Sequence, residues 1–138
     1  MNYPITIESI DKDNKATLIL GADISIVEKG SIVNNGTISG EDSDDPTKET
    51  LTVQRGNGET LTNEVNGEIE SNVIIEGANY LLAAIGAGKN IPADYKAAAQ
   101  VTNNGILNDV KVDGKLIMKS ANSRINGTIE ADARTEGE

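Results

Sequence analysis

The chain has 138 residues, 12 Lys plus Arg against 22 Asp plus Glu for a formal charge of −10, and no cysteine, histidine, tryptophan or phenylalanine. Without Cys or His there is no disulfide framework, zinc finger, thiol nucleophile or imidazole base. An acidic chain is also a poor nucleic-acid binder, because phosphate contacts need clustered Lys and Arg.

The sequence opens with Ile5 and Ile7 alternating with Thr6 and Glu8, the period-2 signature of a strand. Asp11-Lys12-Asp13-Asn14-Lys15 then reads as a turn. Short apolar runs follow: Leu18-Ile19-Leu20, Ile24-Ser25-Ile26-Val27, Ile32-Val33 and Ile38, punctuated by Gly21, Gly30, Gly36 and Gly40. Runs this short suit strands and fall well below helix length. Residues 41–50 form an exposed acidic loop with five acids and one lysine, since like charges so crowded resist burial. Thr50-Leu51-Thr52-Val53 and Glu59-Thr60-Leu61-Thr62, joined around Gly56-Asn57-Gly58, predict a hairpin. Ile69 and Val73-Ile74-Ile75 continue the strands.

The composition changes after Gly77. Ala83-Ala84 and Ala97-Ala98-Ala99, with Pro92 and Asp94 where a second helix would start, predict two short helices, the later one running to about Val101. Strands resume with Ile106-Leu107, Val110, Val112, Leu116-Ile117-Met118, Ile125 and Ile129. The resulting division is a β-rich region 1–77 carrying the acidic loop, an Ala-rich helical insert 78–104, a β-rich region 105–131 and an acidic tail 132–138.

An Asn-Gly pattern recurs around Gly36, Gly67, Gly105 and Gly127, at intervals of 31, 38 and 22 residues, each time with an aliphatic residue shortly before and Ile soon after. Asn and Gly tolerate the tight corners of a coiled backbone. Aliphatic residues alternating with polar ones would stack inward from coil to coil. The expected fold is therefore mainly β, a β-solenoid or an intertwined short-strand architecture, with a thin Ile/Val/Leu core that needs no large aromatic residue. In the last interval, close to one coil, Asp109-Val110-Lys111-Val112-Asp113-Gly114-Lys115-Leu116 and Ile125-Asn126-Gly127-Thr128-Ile129 resemble coils of bactofilins, cytoskeletal β-helix polymers. Gly30-Ser31-Ile32-Val33-Asn34-Asn35-Gly36-Thr37-Ile38 is similar to coils of autotransporter adhesin passengers. The small, acidic, aromatic-poor β protein is also similar in kind to phage capsid decoration and head-fibre proteins, which implies a homotrimer.

Candidate chemistry is sparse. Ala83 to Asn90 partly mimics a phosphate-binding loop but has Ala83 for the first glycine and Asn90 for the hydroxyl residue, so a helix-ending loop is expected. The turn at Asp11 would need glycine at position 16 and an acid at position 22 to hold calcium, and both are alanine. The acidic loop reads as a solvated charge run. No catalytic, cofactor-binding or metal-binding residue is expected, and Tyr3, Tyr80 and Tyr95 are assigned to packing or an interface. No segment reaches the roughly 18 apolar residues of a membrane span, and no basic-then-apolar leader is visible at Met1. The expected function is thus a structural, self-assembling protein with no membrane or nucleic-acid partner, on a virion or, as alternatives, in the cytoplasm or on a cell surface as an adhesin fragment.

Overall fold

The computed structural model describes residues 1–42, 44–54, 58–77 and 99–131. The strands come in threes. The first circuit is β1 (Pro4–Ile7), β2 (Thr17–Leu20) and β3 (Ile24–Ile26); the second is β4 (Ser31–Asn34), β5 (Thr37–Gly40) and β6 (Thr50–Val53). The third is β7 (Thr60–Asn63), β8 (Glu68–Ile69) and β9 (Asn72–Ile75); the fourth is β10 (Gln100–Asn103), β11 (Ile106–Leu107) and β12 (Val110–Val112). The fifth is β13 (Lys115–Met118), β14 (Arg124–Ile125) and β15 (Ile129–Ala131). Each strand pairs in parallel with the strand three places along the sequence. The result is three five-stranded sheets: β1-β4-β7-β10-β13 (sheet 1), β2-β5-β8-β11-β14 (sheet 2) and β3-β6-β9-β12-β15 (sheet 3). The molecule is a five-coil β-solenoid.

Pairing without slippage turns period-2 patterning into columns. Ile32, Leu61 and Val101 stack on sheet 1, Ile38, Ile69 and Leu107 on sheet 2, and Leu51, Val73 and Val110 on sheet 3. All of these are at most 2% exposed. The fourth coil is the shortest: Gln100 pairs with Lys115, fifteen residues on. The other coils keep the same triangle and carry their extra residues between strands, at 8–16, 41–49, 54–59, 76–99 and 119–123.

One column is polar. Asn34, Asn63 and Asn103 end their sheet 1 strands in register and are wholly buried. The Asn34 amide nitrogen donates to Asn63 Oδ1 at 2.9 Å, and that of Asn63 donates to Asn103 Oδ1 at 2.9 Å. Each amide also serves its own corner. Asn34 Oδ1 accepts from Gly36 N and Asn103 Oδ1 from Gly105 N, both at 3.1 Å, while Asn63 Nδ2 donates to the Gly67 and Ile106 carbonyls. The ladder stops at Ile7 in the first coil and at Met118 in the fifth, where Asn103 Nδ2 meets the thioether at 3.5 Å.

Three expectations are corrected. Thr50–Val53 and Thr60–Asn63 are not a hairpin: they lie in different sheets and pair with other coils, because Leu51, Val53 and Leu61 are buried only by in-register neighbours above and below. No helix runs through Val101, since Gln100–Asn103 is a strand between β7 and β13. Burial of Val101 and Asn103 in their columns decides this against the local alanine preference. The β body thus resumes at Gln100, ahead of residue 105, while the rest of the expected helical insert, residues 78–98, lies outside the described residues together with 55–57 and the tail 132–138. Finally, the Asn-Gly copies are not all equivalent. Gly36, Gly67 and Gly105 turn from sheet 1 to sheet 2, whereas Gly127 turns from sheet 2 to sheet 3, so the 22-residue interval is not one coil.

The ladder predicts that Asn63→Ala, which takes one hydrogen bond from each neighbouring amide and removes those of Asn63 to its own corner, lowers stability by about 3 kcal/mol, measured by urea unfolding followed by circular dichroism. At Gly105 a Cβ would collide with the Gly67 and Glu64 carbonyl oxygens, whereas at Gly21 it would meet only a Glu41 carboxylate oxygen at 3.9 Å. Gly105→Ala should therefore cost about 1–3 kcal/mol, and Gly21→Ala markedly less, in the same assay.

Candidate assembly surfaces

A triangular solenoid offers faces, corners and ends. The outer face of sheet 1 is the least charged. Its outward positions form two columns, Pro4-Ser31-Thr60-Gln100-Lys115 and Thr6-Val33-Thr62-Thr102-Ile117. Lys115 is the single charge among them, in a protein where 25% of residues are charged. The second column is β-branched throughout, so its side chains are stiff and present a flat ridge.

Most of the charge among the described residues sits between the strands, at the corners. Glu41, Asp42, Asp44 and Asp45 are exposed in the loop between β5 and β6. Glu49 folds back toward the coil, its Oε2 enclosed without a hydrogen-bond partner, while Asp23 Oδ1 accepts from Thr50 N at 2.9 Å. Among the described residues no group of three or more Asp or Glu converges as a metal site, and no helix is long and apolar enough to cross a membrane.

The ends show the stacking interrupted. In the fifth coil Leu116 and Ile125 are only partly buried, and Met118 and Ile129 are 43% and 56% exposed. In the first coil Ile5, Leu18 and Ile24 are partly buried, and Ile19 on the outer face of β2 is 61% exposed. Tyr3 lies beside this end, exposed, and its carbonyl accepts from Ser31 N. Tyr80 and Tyr95, the other two residues assigned to an interface, lie outside the described residues, as does the phosphate-loop mimic at 83–90. The glycines Gly36, Gly67 and Gly105 are buried at one corner; they shape the coil and leave no surface for a partner. Gly127 is exposed at a different corner.

Sequence reasoning missed the asparagine ladder. Its signal was present: Ile32-Val33-Asn34, Leu61-Thr62-Asn63 and Val101-Thr102-Asn103 share an aliphatic, β-branched, Asn triplet. Comparison with known proteins finds no match among family models, curated proteins or solved structures.

The loop at 8–16 closes on Asp11. Its Oδ1 accepts from the backbone of Asp13 at 2.8 Å and of Asn14 at 3.0 Å, and both carboxylate oxygens take the Asn14 side-chain amide. The Asn14 amide first, then the Asp13 backbone, holds the Asp11 carboxyl below its ordinary value of 3.8. A depressed carboxyl contributes loop stability above its unfolded pKa and loses it as pH falls through the folded one. In an NMR titration the Asn14 side-chain amide should therefore shift with a midpoint below 3.8; a midpoint at or above that value would show that the closure does not form in solution.

Proposed function

We propose that this protein is a non-catalytic structural subunit that assembles with copies of itself, as a capsid decoration or head-fibre homotrimer on a phage virion. The observation that carries the reading is the charge-poor, β-branched outer face of sheet 1 in a molecule of net charge −10. Three copies turning this face toward a common axis would bury it without stranding ions, and would keep the acidic corner at 41–50 in solvent. Specific interfaces deplete charge at their centre and leave it at the rim. Net charge on the outside resists non-specific association.

A second assembly is favoured by the ends. All ladders run parallel, so the β13, β14 and β15 edge of one copy presents strands in the direction that the β1, β2 and β3 edge of another would continue. Such a contact is heterologous and does not close on itself, so it builds a filament. This is the bactofilin-like alternative.

Sedimentation and electron microscopy of the purified protein separate the two. The trimer reading expects a closed oligomer of three chains that Thr62→Glu weakens by about tenfold or more and Ile129→Glu leaves intact, since a buried unpaired charge costs over ~1.4 kcal/mol. Filaments that Ile129→Glu abolishes and Thr62→Glu spares would establish the polymer instead. A protein that stays monomeric at high concentration refutes both.

A further inference from the structure

Four Asn-Gly pairs lie within the described coils: Asn35-Gly36, Asn66-Gly67, Asn104-Gly105 and Asn126-Gly127. The pair is the one in which the following backbone nitrogen can most easily reach the carbonyl carbon of the Asn amide, because glycine has no Cβ to obstruct it. In three of the four that nitrogen is engaged at a buried glycine. Gly36 N donates to Asn34 Oδ1 at 3.1 Å, Gly67 N to the Glu64 carbonyl at 2.8 Å, and Gly105 N to Asn103 Oδ1 at 3.1 Å. The corner at Gly127 differs. Asn126 N donates to the Leu107 carbonyl at 2.9 Å and Thr128 N to Asp109 Oδ1 at 2.8 Å, but Gly127 N lies between these anchors with no hydrogen bond among the described residues, and Asn126 and Gly127 are both exposed.

We infer that Asn126 is a modification site, which deamidates spontaneously through a cyclic imide while the other three Asn-Gly corners are protected. Solvent base removes the Gly127 amide proton, and the nitrogen attacks Asn126 Cγ. A new C–N bond forms, the Cγ–Nδ2 bond breaks, and the amide leaves as ammonia. Water then opens the imide. Hydrolysis at Cγ gives an ordinary aspartyl residue at position 126, and hydrolysis at the backbone carbonyl gives an isoaspartyl link with one extra backbone carbon. Either product adds a carboxylate to the corner that Asp109 holds through Thr128 N. The isoaspartyl link also lengthens the backbone between the Leu107 and Asp109 anchors, which set the register of β15 on β12. The product is a solenoid whose last strand is loosened with age.

The sequence supplies its own control, because Asn35-Gly36-Thr37-Ile38 and Asn126-Gly127-Thr128-Ile129 are identical in residue type. The full-length protein is incubated in mildly alkaline buffer, folded and in concentrated urea. Each site is followed by peptide mass spectrometry and isoaspartyl-specific methylation. In the folded state Asn126 should convert about tenfold or more faster than Asn35, Asn66 and Asn104, the factor that opening a hydrogen-bonded corner imposes. In urea Asn35 and Asn126 should react alike. Asn126→Gln should remove the product at that position and keep β15 amides protected in hydrogen exchange after incubation. Equal rates for Asn35 and Asn126 in the folded state overturn the inference, and so does a difference between them that survives urea.

Discussion

The structure depends on in-register parallel stacking, and the asparagine ladder is where that register is enforced. A buried aliphatic residue tolerates a neighbour of roughly the right size. A buried amide does not: left without partners it costs about 1–3 kcal/mol. Asn34, Asn63 and Asn103 satisfy one another only when their strands align residue for residue. A slip of one residue would strand the amides and turn each column outward. The same groups also hold the corner glycines, so one interaction fixes both the rise between coils and the turn within them.

With the register fixed, the core needs no large side chains. Leu, Ile and Val from three faces meet at the centre of a narrow triangle and are covered by their counterparts one coil away. Insertions are tolerated because they leave at corners, where the sheets are already interrupted; the acidic loop 41–49 is one example. This separates a charged, variable rim from three regular faces. It also leaves the first and fifth coils with columns covered on one side only, which is why Met118 and Ile129 are exposed while their counterparts in the middle coils are not.

Much of this was legible in the residues. Short aliphatic runs separated by Gly and Asn, with no Phe or Trp, led to a β-solenoid or an intertwined short-strand architecture with a thin aliphatic core, and the solenoid is the fold. The errors came from reading local signals locally. Gly56-Asn57-Gly58 between two Thr-Leu-Thr segments looks like a hairpin, yet each segment gains more from the coil above and below than from the other. The alanine run ending at Ala99 suggests helix, yet Val101 and Asn103 belong to columns built by residues 40 positions earlier. The assembly surfaces were scarcely legible. The sheet 1 ridge joins Thr6, Val33, Thr62, Thr102 and Ile117, whose spacings follow no fixed period because each coil carries a different corner loop.

By itself the sequence determined the chemistry available, the class of fold and the place of the charge. Those depend on which residues are present and on alternation over a few positions, and both are local. Only the tertiary structure decided which Asn-Gly pairs share a corner, which asparagines bond to one another and which outward residues form a face. Those depend on register between strands separated by loops of unequal length, and register is set by burial and hydrogen bonding across coils. For that reason Asn35 and Asn126, alike in local sequence, occupy corners that differ in burial and in the partner of the following amide.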